Sequence, residues 1–308
     1  MALSKLSEDQ HRSVFGHLCN VLEPCDAVDF SCASKGLRTA TQALLQQLRA
    51  DHEVAAALCH KVGLRSCKEL RETTEIDLLD KGLSSAELAT MGTLLGSVLP
   101  ALESLVLSNS AAGPDGLQLS DSAAGPDGVQ QLAAGLGAGA LPAVARLAIG
   151  NMHTGDAGAS SLAAALGRGA LPRLVTLILS NAAIGDAGLV ALAPALRRLP
   201  ALDCIFLSYN PLGDEGIAAL VAPPPSGALS PPTGALTKLK ALYFGFTQVS
   251  DAGCTALAAA LDSGTLPALD ILKLDGIPAS AAAKAAVIGA HTMAQDIARL
   301  RRLGWEDV

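Results

Sequence analysis

The sequence is short of aromatic side chains. Five Phe, two Tyr and one Trp make up 3% of 308 residues, and charged residues make up only 17%. Half of the chain is hydrophobic, with a mean hydropathy of +0.38, but the apolar residues are mainly Ala and Leu. Long uninterrupted apolar runs are also missing. A spanning helix needs about 20 apolar residues without breakers. The longest uncharged stretch, Gly216 to Thr237, carries five prolines, so no membrane span is expected. Basic residues are a minority, 22 Lys and Arg against 29 Asp and Glu, for a net charge of −7. Nucleic-acid binding needs a basic surface and is excluded as a class. There is no Cys-x-x-Cys. Seven cysteines, an odd number, fit free thiols in a reducing compartment and predict a cytoplasmic protein. Residues 1–10 contain Glu8 and Asp9 and no apolar core, which predicts no secretory leader.

Arrangements that carry chemistry are scarce too. Gly135-Leu-Gly137-Ala-Gly139 imitates a nucleotide-binding glycine run, but it sits at the end of a helical stretch rather than between strand and helix. Asp115, Asp121 and Asp127 are too few carboxylates for calcium. His11, His17, Cys19, Cys25 and Cys32 lack zinc-ligand spacing. His52, Glu53 and His60 do not place two histidines four apart on a helix. The expectation is a protein without enzymatic activity, metal or cofactor.

What the sequence does contain is a repeat, which is the first thing to look for in a chain of this kind. Short runs with alternating apolar residues end at Leu78, Leu107, Ile149, Leu179, Leu207, Phe244 and Leu274. The spacings are 29, 42, 30, 28, 37 and 30 residues. The 42 contains a tandem duplication, Leu107–Gln118 followed by Leu119–Gln130, and the 37 contains the Pro-rich insertion 222–234. Each run reads as a short strand. After it comes Gly-Asp-Ala-Gly or a relative, at 155–158, 185–188, 213–216 and 250–253. The Asp (156, 186, 214, 251) is expected to cap the helix it opens. An Ala/Leu helix follows, and Leu-Pro leads into the next strand.

This pattern resembles the leucine-rich repeat family in its ribonuclease-inhibitor-like form. The resemblance implies an α/β solenoid, a horseshoe of about seven strand–helix units over residues 73–290. A helical unit over 1–72 would precede it and a helical cap or tail over 291–308 would follow. Small Ala side chains let the helices lie close to the sheet and to each other, and stacked units share one core. The family's inward Asn falls three residues past the end of the run. Only Asn210 occupies that place; Asn109, Asn151 and Asn181 lie one residue earlier.

Residues 6–50 read as helices broken at Glu23-Pro24. Composition changes near residue 72. Residues 1–72 balance nine basic against nine acidic side chains, and the whole net charge lies in 73–308. The run from Val14 through Leu18, Leu22, Pro24 and Val28 to Leu37-Arg38 resembles an F-box. That resemblance implies docking, through residues 6–40, on the adaptor subunit of a cullin ubiquitin ligase, with Leu18, Leu22, Pro24 and Val28 facing the adaptor. The chain would then be a substrate receptor. The other reading is a helical cap over the first repeat's core, which a solenoid needs.

The resemblance also implies that strand residues beside the inward Leu positions project from the concave face and bind a protein partner. Phe206, Tyr209, Tyr243 and Phe246 fall on such positions of two adjacent strands, four of the eight aromatics in the chain. Aromatic side chains are enriched in interfaces. Arg146 and Lys273 are the charged residues on neighbouring outward positions. The functional expectation is a protein-interaction scaffold; a structural subunit of a larger assembly is the further alternative.

Overall fold

The computed structural model describes residues 7–78, 81, 83–97, 99, 101–107, 126–222 and 236–302. Most of the tandem duplication and the Pro-rich insertion, together with Asn109, Asp115, Asp121 and Trp305, lie outside the described residues.

The N-terminal unit is helical: α1 (Glu8–Leu18), α2 (Cys25–Cys32), α3 (Lys35–Lys61) and α4 (Cys67–Glu72). Serines set three of the starts. Ser7 forms a capping box with Gln10, and Ser34 and Ser66 accept from the backbone N–H of Leu37 and Glu69. Among the described residues strand and helix then alternate: β1 (Glu75–Asp77) and α5 (Ser85–Ser97), β2 (Ser104–Val106) and α6 (Pro126–Gly135), then β3 (Arg146–Ala148) and α7 (Gly155–Gly167). Next come β4 (Thr176–Ile178) and α8 (Asp186–Leu196), β5 (Cys204–Phe206) and α9 (Asp214–Val221), and β6 (Ala241–Tyr243) and α10 (Asp251–Asp262). The last pair is β7 (Ile271–Lys273) and α11 (Ala281–Arg302). The boundary expected at 290/291 falls inside α11, which runs through it as one helix.

The strands form one parallel sheet in sequence order, β1 to β7. Register is constant: Leu105, Leu147, Leu177, Ile205 and Leu242 pair in turn. These central residues and the residues that end the runs from Leu78 to Phe244 are buried, and Leu274 is half-buried. Side chains alternate in a strand, so the first and third residues point to the opposite, open face. From α5 to α11 each helix packs on the next. The core is one continuous cluster of mostly Leu and Ala from Leu22 to Ala290. The N-terminal unit enters it through Leu22, Ala55, Leu58, Cys59 and Leu70, and keeps a small core of its own around Phe15, Ala27, Leu45 and Leu48.

The aspartates of the Gly-Asp-Ala-Gly turns act differently from the expectation. Each opens its own helix, but its carboxylate caps the next one. Asp156 Oδ1 accepts from Gly185 N at 2.7 Å and Gly188 N at 3.0 Å. Asp186 Oδ1 accepts from Gly213 and Gly216, Asp214 Oδ1 from Ser250 and Gly253, and Asp251 Oδ1 from Ser280. The carboxylate thus satisfies free N–H groups at the start of the following helix and sits at the positive end of its dipole. The second glycine of the motif exists to admit it: a Cβ on Gly216 would lie 2.7 Å from Asp186 Oδ1.

Asn210 performs the inward role its position implies. Its Nδ2 donates to Leu179 O and Leu207 O, and its Oδ1 accepts from Ala182 N and Ile184 N, so it ties two units together.

Candidate functional site

The open face of the sheet carries the outward residues in rows. Constant register makes the third-position row Val106, Ala148, Ile178, Phe206, Tyr243 and Lys273. Phe206 and Tyr243 are half-buried and stacked, with ring centroids 4.3 Å apart and planes 9° apart. Three residues further on, Tyr209 and Phe246 form a second stacked pair at 4.6 Å and 3°. The centroid separations match the spacing of neighbouring strands, about 4.8 Å. The structure therefore brings together all four aromatics singled out in the sequence. Lys273 pairs with Tyr243 in register and borders the patch. Arg146 lies two strands from β5, in the first-position row, and is not part of it.

The second pair occupies a demanding place. Tyr209 and Phe246 have φ of +61° and +56°, in the left-handed region. In other units the same position holds Asn151 (+54°), Asn181 (+51°) and Gly276 (+69°), residue types that tolerate this conformation. This explains why the asparagines fall one residue before the family's inward position: they serve the turn. Asn181 Nδ2 also donates to Asn151 Oδ1 at 3.1 Å. A left-handed non-glycine residue costs about 1–2 kcal/mol. Leu141, Leu171 and Ala183 share the conformation; the two leucines are buried, which offsets the strain, and Ala183 is exposed. Tyr209 and Phe246 are 57% and 50% exposed. Their rings gain the stacking contact, about 0.5–1.5 kcal/mol, and the Phe246 ring also lies against Gly276.

The electrostatics of the face are mild. From β3 to β6 its outward strand residues include no carboxylate, and Ser180, Asn181, Ser208 and the two tyrosines supply hydroxyl and amide groups. Cys204 lies in the first-position row; burial and the neighbouring Asp203 carboxylate push its thiol up, away from nucleophilic use. Among the described residues no group of three or more His, Cys, Asp and Glu could hold a metal ion. Among them no helix is long and apolar enough to cross a membrane.

The F-box-like positions lie in the N-terminal helical unit. Leu22 is 3% exposed and belongs to the main core. Leu18 and Val28 are half-buried against Phe15 and its neighbours, and Pro24 opens α2. The residues that matter most at this end were not singled out beforehand. Lys61, at the end of α3, pairs with Glu87 of α5 at 2.7 Å. Glu87 also accepts from Ser84 N and Oγ, completing a capping box. The Lys61 ammonium, opposed by partial burial and helped by Ser84, holds the Glu87 carboxyl below its usual range. The Ser84-x-x-Glu87 spacing is a visible signal of a helix start.

Three segments of the chain, 172–193, 206–221 and 235–258, match the family model described as Leucine Rich repeat. They fall on consecutive units, from the lead-in to β4 through α10. No curated protein matches the chain. One solved structure similar to it is titled Leiomodin-1 Actin-Binding Site 2 (ABS2), at 13% identity and a TM-score of 0.35, covering 82% of this chain and 94% of that one.

Proposed function

We propose that this chain, a protein built from leucine-rich repeats, is a non-enzymatic scaffold that binds a protein partner on the open face of its sheet. The observation that carries the reading is the placement of Tyr209 and Phe246. The repeat supplies Asn or Gly at this turn, and two adjacent units depart from it to expose stacked rings at a cost in strain. An observed strained backbone at exposed aromatic side chains motivates a functional reading. Phe206 and Tyr243 extend the patch, and Lys273 gives it one charged border. Interfaces draw their energy from a few such aromatic anchors.

The N-terminal unit serves this scaffold as a cap. Leu22, Leu58 and Leu70 cover the first repeat's core, and the Lys61–Glu87 pair fastens α3 to α5. The open-face reading is tested by affinity capture from the native source with the wild type and with Phe206→Ser plus Tyr243→Ser. Partners held by the wild type and lost by a folded variant support it. Unchanged capture with an intact circular-dichroism spectrum refutes it.

A further inference from the structure

Two thiols meet where α3 turns into α4. Cys59, in the last turn of α3, and Cys67, the first residue of α4, have their sulfurs 3.8 Å apart. Both are free and buried, at 1% and 5% exposure. The turn between them is well tied. Leu64 N bonds Cys59 O at 2.8 Å, Gly63 takes a φ of +92°, and Ser66 Oγ accepts from Glu69 N at the start of α4. A single buried cysteine is a small hydrophobe, but two in contact across a turn are also a pair that can bond. A disulfide holds its sulfurs about 2.05 Å apart, so closing this pair asks for a movement of less than about 2 Å. Burial, and then the Cys67 sulfur beside it, push the Cys59 thiol up to about 12, which keeps it protonated in the closed fold.

We infer that Cys59 and Cys67 form a redox-responsive modification site: a small-molecule disulfide of the glutathione class converts them to an intramolecular disulfide that staples α4 to the end of α3. Cys67, the more exposed of the two, reacts first, when the six-residue α4 opens locally. Its sulfur attacks one sulfur of the small disulfide. The new S–S bond forms as the old one breaks, and one glutathione leaves as a thiol with the Cys67 proton. The Cys59 sulfur then attacks the Cys67 sulfur and releases the second glutathione, which takes the Cys59 proton. Two protein thiols are thus oxidised by two electrons, and one disulfide is reduced to two thiols. The contact between the sulfurs makes the second step intramolecular and favours it over a lasting mixed disulfide. The staple bears on the joint between the helical unit and the repeats. Both cysteines belong to the shared core, α4 ends three residues before β1, and Lys61 beside Cys59 pairs with Glu87 of α5. A cross-link there restricts the unfolded chain and so holds the cap on the first repeat. Sheet order sets β1 four strands from β5, so this site and the partner-binding reading of the aromatic face stand or fall separately.

The test equilibrates the full chain with oxidised glutathione until the products stop changing, alkylates the remaining thiols and digests with trypsin. Cleavage after Lys61 and Arg65 separates the two cysteines. The disulfide is therefore read by mass spectrometry as residues 50–61 joined to residues 66–68. The expected result is that joined pair, with the exposed Cys19, Cys25 and Cys32 carrying glutathione or the alkyl label. The oxidised chain should also unfold roughly 5 °C above the reduced one. Dithiothreitol should remove this gain. Cys59→Ala and Cys67→Ala, each compared oxidised against reduced, should lack it. Four results overturn the proposal: both cysteines still alkylated, glutathione held singly at 59 or 67, either cysteine joined to a different one, or a joined pair with an unchanged unfolding temperature.

Discussion

Single residues do separable jobs in this chain. Asn210 fills four backbone bonds across two units, and Asn210→Ala would leave the N–H groups of Ala182 and Ile184 buried without acceptors. Each orphaned group costs about 1–3 kcal/mol, so we expect a loss of about 3 kcal/mol or more in urea unfolding. Glycines give a sharper contrast. Gly216→Ala pushes a methyl against the Asp186 carboxylate and should cost about 2 kcal/mol or more. Gly289→Ala, in the exposed middle of α11 with open space around it, should add about 0.5–1 kcal/mol. Equal effects at the two sites would contradict the capping geometry. Asn210 was legible from its spacing in the sequence. The glycine's role was not, because the carboxylate it admits comes from a unit about 30 residues away. The burial of Leu22 in the main core was not legible for a related reason: a local helical pattern cannot say which neighbour the apolar side meets.

At the scale of elements, the sequence showed every strand. Alternating apolar residues and the Gly-Asp and Leu-Pro landmarks recur in phase, and period-two alternation is a local property. The linkage between elements was hidden. The Asp at each helix start looks like a cap for its own helix, yet the carboxylates form a relay from one helix to the next. Asp214 shows the electrostatic consequence. Burial alone would raise its carboxyl, but the Ser250 hydroxyl and the Ser250 and Gly253 N–H groups outweigh it and hold the carboxyl below the usual value. A lowered value in the fold means that the charged form stabilises it. That stabilisation is present above the unfolded carboxylate range, near pH 4, and is lost as pH falls through the folded value. Asp214→Asn should therefore lower stability at neutral pH and flatten its decline below about pH 4. Thermal unfolding across that range checks it; parallel pH profiles for the two proteins would be against it.

Among the described residues a single core is drawn out along a seven-stranded sheet, with the N-terminal helices entering it beside the first strands and α11 packing on α10 beside the last. The scarcity of aromatics follows from this: thin layers of Leu and Ala fill each unit, and Phe244 is the only aromatic the repeat core uses among the described residues. Removing residues 1–72 takes Leu22, Leu58 and Leu70 out of the shared core and exposes what they packed against, so that variant should aggregate, eluting early in size exclusion. The open-face aromatics were legible as a set of outward positions; their strain was not, since a turn's φ is invisible until the chain is folded. That strain gives the most direct test of the central claim, that Tyr209 and Phe246 serve binding rather than folding. Tyr209→Asn with Phe246→Asn restores the residue type of the two preceding units. Relief of strain is about 1–2 kcal/mol and loss of one ring stack about 0.5–1.5 kcal/mol, so the account predicts an unfolding free energy within about 1 kcal/mol of wild type together with loss of partner capture. A variant that unfolds several kcal/mol more easily, or one that keeps its stability and still captures the same partners, would contradict it.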